Sequence, residues 1–310
     1  STLDLSSVDL RSPTLTLNSA LSRRFFVSGQ TYSFKCRMSM NDTDGTVLTG
    51  SGTKSLYVNF NPTGGSLMIT SDSTTGSSLA LKSRHTFTAS GWTDMEGDLP
   101  LTYQFYYTTT DRFNRPLTTY IHLGSLSPRL SDILLPSGSP LTVGVKVTDS
   151  KGASNTYTTM IDVSDSELKT VAGVKDVYAS SVETSIRTSN STGVIYIGVI
   201  TAEVAASGID PNDASQDAEG QKLRTQLTSN INSYMQDVPG PIVVNAVSSL
   251  LNFPASQDVG FFKSVVNITS HVLSSTIDAG SASGKELRSS LTSVFKFIID
   301  KFVSSSVPSA

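Results

Sequence analysis

The sequence predicts an α+β fold of several domains, in which antiparallel β-sandwiches are followed by a C-terminal helical bundle. Two observations support this prediction. Up to about residue 165 the chain carries short alternating runs of β-branched and aromatic residues, separated by Gly, Pro and Asn. Beyond that point apolar residues recur every three or four positions, which is the spacing of an amphipathic helix.

Length, charge and composition narrow the range of functions. At about 100–150 residues per domain, a chain of 310 residues holds two or three domains. With 23 basic and 26 acidic residues, a net charge of −3 gives no electrostatic case for binding nucleic acid or an anionic membrane. The single Cys excludes a disulfide framework within the chain, and the three His leave little for metal or proton-transfer chemistry.

The strand candidates of the first half share β-branched or aromatic residues at alternate positions; they lie at residues 15–17, 31–38, 55–60, 66–70, 85–89, 101–108, 118–123, 141–148 and 154–163. Between the last two, Gly152 supplies the positive φ of a hairpin turn. Short strands at this spacing predict sandwiches of the immunoglobulin or fibronectin type III kind. We therefore assign residues 1–61 to a β-rich first sandwich, which need not be complete, and residues 62–165 to a second one.

Residues 166–310 are predicted to form a bundle of five or six helices. Three apolar stripes step by three and four; they contain Leu168, Val171, Val174, Tyr178, Val182 and Ile186, then Leu223, Leu227, Ile231 and Tyr234, then Leu287, Leu291, Phe295, Ile298 and Phe302. Pro241 and Pro254 suit the first turns of two helices. The acidic group of Asp210, Asn212, Asp213 and Asp217 is interpreted as a helix-capping loop.

Several features indicate a segment of a larger surface protein. The chain begins at Ser1 without a signal-peptide pattern, so we expect a processed piece of a longer protein. No apolar run reaches the roughly 18 residues of a membrane span, and the run at 194–200 is soon followed by Glu203. The sequons at Asn41, Asn190 and Asn267 are candidate glycosylation sites, although 88 Ser and Thr residues make chance sequons common.

Cys36 lies in an alternating run and is expected to be a small buried residue. The alternative is a bond to a part of the protein outside this chain.

Four stretches of sequence are specific when taken together. They read VNFNPTGGSL at 58–67, GSSLAL at 76–81, FTASGWTD at 87–94 and DLPLTYQF at 98–105. This combination resembles the REJ (receptor for egg jelly) module of polycystin-1-like proteins. The resemblance implies structural core positions at Trp92, Tyr103 and Phe105, with Trp92 between two sheets. Residues near 67–68 and 89 stand where the family usually places two Cys, so the expected disulfide is absent and packing must replace it.

The resemblance also implies the kind of protein to which the chain belongs, its location and its partners. In polycystin-1-like proteins such modules precede a helical region and a membrane portion linked to a polycystin-2-like channel. It implies a non-catalytic extracellular region at a plasma or ciliary membrane, with polycystin-2-like channel subunits or other ectodomain and adhesion proteins as partners. Contact with the membrane is expected only through parts outside this chain. The alternative is a secreted or cell-surface adhesin or matrix protein that binds a glycan or a protein.

Chemical motifs are few. Asp94, Glu96 and Asp98 alternate in a loop, which is typical either of a solvated acidic turn or of a weak Ca²⁺ site. No G-x-S-x-G motif occurs, and His85, His122 and His271 fall in different predicted elements. We therefore predict no enzymatic activity, no cofactor and no catalytic residue.

Overall fold

A computed structural model gives the fold. It describes residues 26–73, 77–110, 116–121, 124–164, 170–187, 190–208, 213–253, 259–275, 291–292 and 294–296. Within these residues a β-rich part is followed by helices, which confirms the predicted fold class. Leu15–Leu17 of the first strand candidate, His122, Leu168, Asp210, Asn212, Pro254, Leu287, Ile298 and Phe302 lie outside the described residues.

The strands make three sheets. They are β1 (Thr31–Asn41), β2 (Val47–Tyr57), β3 (Ser66–Ser71), β4 (Ser78–Leu79), β5 (His85–Ser90), β6 (Thr102–Thr110), β7 (Pro116–Tyr120), β8 (Arg129–Ile133), β9 (Gly138–Thr148) and β10 (Ser154–Ser164). A five-stranded sheet has the order β4-β10-β9-β6-β7, a three-stranded sheet has the order β3-β5-β8, and β1 and β2 form a two-stranded sheet. Asp149 to Gly152 form the predicted turn between β9 and β10, with Gly152 at φ +93°.

The described residues divide into two compact units. Unit 1 contains the described residues up to Gly65 together with Gly91–Thr102 and Val147–Asn155. Unit 2 contains Ser66–Ser90, Tyr103–Lys146 and the described residues from Thr156 onward. The predicted boundaries at residues 62 and 166 stay a prediction, although the change from strand to helix between Ser164 and Val171 lies where the sequence placed it.

Unit 2 has an apolar core between sheet residues. Phe87 of β5 and Phe105 of β6 are fully buried, and their rings meet edge to face with centroids 5.8 Å apart. Alternation of side chains along a strand places Tyr107 on the same face as Phe105, and Tyr107 is also fully buried. Tyr103, one step earlier on that face, is only half-buried.

Two buried residues of unit 2 stand where the resemblance implied cysteines. Leu67 of β3 and Ala89 of β5 are register partners across the antiparallel pair. Both side chains are buried. A buried cross-strand apolar pair therefore occupies the positions where the resemblance implied a disulfide.

The strands β1 and β2 form an isolated ribbon in unit 1. Alternation puts apolar residues of both strands on one face, and Met38, Met40, Leu48 and Leu56 of that face are exposed. Cys36 lies on this face and is exposed, so the expectation of a small buried residue is wrong. It is exposed because no second layer covers the ribbon within the described residues. Phe26 packs only at one end, 4.9 Å from the Tyr32 ring.

The helices of unit 2 are α1 (Val171–Arg187), α2 (Ser191–Gly208), α3 (Ala214–Tyr234), α4 (Gly240–Asn252) and α5 (Val259–Ser275), with a 3₁₀ turn at Met235–Asp237. The predicted stripe of α1 is confirmed from Val171 to Val182. Ile186 is exposed, because the helix ends one residue later and the stripe has left the packed face. Pro241 lies in the first turn of α4, as predicted.

Asp213 caps helix α3, as the sequence predicted. Its Oδ1 accepts hydrogen bonds from the backbone amides of Ser215 at 2.9 Å and Gln216 at 3.3 Å. These bonds lower the pKa of the Asp213 carboxyl. The cap satisfies amides that have no partner inside the helix.

We predict that Phe105→Ala lowers the free energy of unfolding of unit 2 by about 3–5 kcal/mol, because it leaves a cavity beside Phe87. Urea unfolding followed by circular dichroism measures this loss. Phe105→Leu should cost less, and Tyr103→Ala should also cost less because Tyr103 is half-buried. Equal losses for Phe105→Ala and Tyr103→Ala would contradict the placement of this core.

Candidate functional site: the acidic loop of unit 1

The G-W-T-D stretch at 91–94 forms a turn that pairs with the segment at 63–65. The backbones of Thr63 and Thr93 exchange hydrogen bonds of 2.8 and 3.0 Å. The Trp92 indole lies against Gly65, where an added Cβ would be 2.2 Å from the ring. Only Gly therefore lets the indole approach the backbone so closely. Trp92 is half-buried at this turn, while the fully buried aromatic residues of the sheets lie in unit 2.

Asp94 holds the loop that follows. Its Oδ1 accepts hydrogen bonds from the backbone amides of Glu96 at 2.9 Å and Asp98 at 3.0 Å. This is the local turn that an Asp side chain makes with its own following backbone. The turn aligns the three alternate carboxyl groups on one side of the loop.

Glu96 ties the loop to the end of the ribbon. Its Oε2 accepts a hydrogen bond of 3.0 Å from the backbone amide of Phe60. A hydrogen bond between the Tyr57 phenol and Glu96 raises the pKa of Tyr57 to about 12. The carboxylate therefore joins residues 57–60 to the loop.

Asp98 ties the loop to the β9–β10 hairpin. Its Oδ1 lies 2.9 Å from the Lys151 ammonium, and its backbone carbonyl accepts from the Ser150 amide at 3.1 Å. The hydrogen bond to Asp98 raises the pKa of Lys151. Asp149 stabilises the same hairpin, since its Oδ1 accepts from the amides of Lys151 and Ala153.

Three acidic side chains come close enough to ligate one cation. One oxygen from each of Asp94, Glu96 and Asp98 lies within 4.8 Å of the others. Within the described residues, the Oδ2 atoms of Asp94 and Asp98 are buried and accept no hydrogen bond. Calcium needs six to eight oxygen ligands, however, and the other oxygens already hold backbone amides and Lys151. The structure therefore gives each carboxylate a role in holding the loop, and the weak Ca²⁺ site stays the alternative to a solvated acidic turn.

The three sequon asparagines lie at separate places. Asn41 ends β1, Asn190 precedes α2 and Asn267 lies on α5; all three are exposed. Asn190 also caps α2, because its Oδ1 accepts a 2.8 Å hydrogen bond from the Gly193 amide. The position of each asparagine is compatible with an attached glycan.

The histidines that the structure describes do not form a reactive group. His85 is buried in β5, and its ring nitrogens contact the Ile133 carbonyl at 3.2 Å and the Ser78 hydroxyl at 3.1 Å. Burial lowers the pKa of His85. His271 lies far along the chain on α5. Both contacts of His85 join strands, so its role is structural.

The sequence analysis missed one chemically unusual side chain, Glu203. It is the only charged residue in α2, and it lies in unit 2 against hydroxyl groups of other elements. Burial raises the pKa of Glu203 to about 7. The sequence did contain a sign of this role. A single acidic residue in an 18-residue apolar helix predicts either the end of the apolar stretch or a buried polar contact.

We predict that Gly65→Ala displaces the Trp92 ring and destabilises unit 1 by about 1–3 kcal/mol, as overpacking does. Because Trp92 is the only Trp, its fluorescence reports the displacement directly. Gly50→Ala is the matched control, since a Cβ there meets nothing within 4 Å. An unchanged emission maximum in Gly65→Ala would contradict the close contact.

For the acidic loop we predict that EDTA leaves the melting temperature unchanged, because backbone amides and Lys151 already hold the carboxylates. Differential scanning fluorimetry with EDTA, Mg²⁺ and Ca²⁺ measures this. A rise in melting temperature with Ca²⁺ alone, lost in Asp98→Asn, would instead establish a calcium site at these three residues.

In the part of the chain that the structure describes, no helix is both long and apolar enough to cross a membrane. A family model described as REJ domain matches residues 5–199, which is more than half of the chain. No curated protein matches the chain. The matched residues include the ribbon, the G-W-T-D turn with its acidic loop, both sheets and most of the first two helices. The chain therefore belongs to the REJ domain family.

Proposed function

We propose that this chain is a non-catalytic structural and interaction region in the ectodomain of a polycystin-1-like membrane protein. The observation that carries the proposal is the REJ domain match over residues 5–199, since this domain belongs to polycystin-1-like proteins with extracellular regions. In this proposal the region lies on the outer side of a plasma or ciliary membrane. Its partners are polycystin-2-like channel subunits or other adhesion proteins.

The architecture of unit 2 suits a load-bearing role. Helix α2 is joined to the sheet part by the Tyr196 hydroxyl, which donates a 2.7 Å hydrogen bond to the Leu134 carbonyl. Residues near each partner in the sequence are buried and apolar, namely Ile195 and Val199 on α2 and Leu135 beside the acceptor. A force applied to the strands of unit 2 therefore reaches its helices through a packed contact rather than a linker.

The proposal is tested in cells that make the native protein. An antibody raised against this chain should label the surface of intact cells at the cilium or flagellum, and should co-precipitate a polycystin-2-like subunit from detergent-solubilised membranes. Preimmune serum and pre-absorption with the purified chain are the controls. Labelling only after permeabilisation would contradict the extracellular placement. Recovery of the native protein only from the medium would favour the adhesin alternative.

We also predict that the exposed sequons carry glycans when the chain is secreted from eukaryotic cells. Peptide N-glycosidase F should shift the chain on a gel by up to three glycan steps. Thr43→Ala and Thr192→Ala remove two sequons, and the latter leaves the Asn190 cap of α2 intact. Asn267→Gln is preferred for the third, because Thr269 is buried. No shift in the unsubstituted chain would argue against passage through the secretory pathway.

A further inference from the structure

One carboxyl group joins three elements of unit 2. Glu203 projects from α2, and its Oε1 lies 3.1 Å from the Ser249 hydroxyl of α4 and 3.5 Å from the Thr119 hydroxyl of β7. Thr119 and Ser249 are themselves buried. A single ionisable side chain therefore bonds both to this second helix and to the edge strand of the five-stranded sheet.

The second oxygen of this carboxyl group, Oε2, is buried near the hydroxyl group of Tyr107. Glu203 Oε2 and the hydroxyl of Tyr107 on β6 are both buried, and neither has a hydrogen-bond partner within the described residues. The Tyr107 phenol is nevertheless close enough to Glu203 to favour the ionised carboxylate and to lower the pKa of Glu203, against the larger opposite effect of burial. A buried polar group without a partner is costly, and a small movement that joins these two groups would satisfy both.

The neighbours of Glu203 carry no compensating charge. The ionisable groups that act on it are the phenols of Tyr107 on β6 and Tyr196 on α2. Ser249 of α4 and Thr119 of β7 contribute neutral hydroxyls. Among the described residues no Lys, Arg or His contributes to the ionisation of Glu203. An ionised Glu203 is therefore a buried charge held only by hydroxyl groups.

We propose that protonation of Glu203 controls how tightly α2 and α4 pack against β6 and β7. The protonated acid is neutral, and its Oε2 hydroxyl donates to the Tyr107 oxygen while Oε1 continues to accept from Ser249. In the ionised form the Tyr107 phenol donates to the carboxylate instead, but the carboxylate is then a desolvated charge at the junction. Acid conditions therefore tighten the junction, and conditions above neutral pH loosen it.

The direction of the pH dependence follows from proton linkage. Burial raises the pKa of Glu203 from its ordinary value of 4.5 to about 7 in the folded chain. Between these two pH values the folded state binds one more proton than the unfolded state, so stability falls as pH rises. Above about pH 7 both states are ionised and this contribution becomes constant.

The direct test is carbon-13 NMR of the full chain labelled at the glutamate side chains. The Glu203 Cδ signal, assigned by its absence in Glu203→Gln, should titrate with a midpoint near pH 7. A midpoint below pH 5 would overturn the proposal. Amide hydrogen exchange in α2 and α4 should slow at least several-fold from pH 8 to pH 6, after correction for the intrinsic pH dependence.

Stability measurements give a second test. From pH 5 to pH 8 the unsubstituted chain should lose melting temperature, whereas Glu203→Gln should lose less and be the more stable chain at pH 8. Glu183→Gln is the matched control, because Glu183 is exposed on α1. Parallel pH profiles for Glu203→Gln and the unsubstituted chain would also overturn the proposal. If Glu203→Gln does not fold, Ser249→Ala provides the test, because loss of this donor should move the Glu203 midpoint upward.

Discussion

The edge-to-face contact between Phe87 and Phe105 is the interaction on which the sheets of unit 2 depend. Both rings are fully buried, and His85, Ala89 and Tyr107 on the same faces are buried as well. Such a core matters more here than in a disulfide-linked module. Leu67 and Ala89, paired across β3 and β5, stand where the family resemblance implied two cysteines. A disulfide stabilises a protein mainly by restricting the unfolded chain. Without that bond, the stability must come from burial of apolar side chains in the folded state.

Much of this fold could be predicted because its elements follow their own periodicity. Strand β5 alternates buried and polar side chains, and α1 carries a stripe at helical spacing, so burial of one face of each could be predicted from the sequence. Strand β8 was missed because its five residues include Asp132, which has a φ of +63°. The first part of β2 was missed because Gly50 and Gly52 have low strand propensity. Its strand structure depends on pairing with β1.

The candidate sites also divide into those that are formed by residues close together in the sequence and those that depend on distant residues. The Asp94 turn and the Asp213 cap are local, since each side chain binds amides two to four residues away, and both could be inferred from spacing. Links from Glu96 to Phe60 and from Asp98 to Lys151 join distant parts of the chain and could not be inferred that way. Glu203 is the extreme case. Its environment is supplied by residues more than 40 positions away in both directions, so only the tertiary structure reveals it.

The central claim is that stability in this chain is concentrated in the packed core of unit 2, while the β1–β2 ribbon depends on its own hydrogen bonds. Two-stranded ribbons are marginal in water without a covering layer. Amide hydrogen exchange measured by mass spectrometry over the whole chain tests this claim most directly. The account predicts that peptides from β5, β6, β9 and α2 exchange last and that ribbon peptides exchange among the first. Ribbon peptides protected as strongly as those of β6 would contradict it.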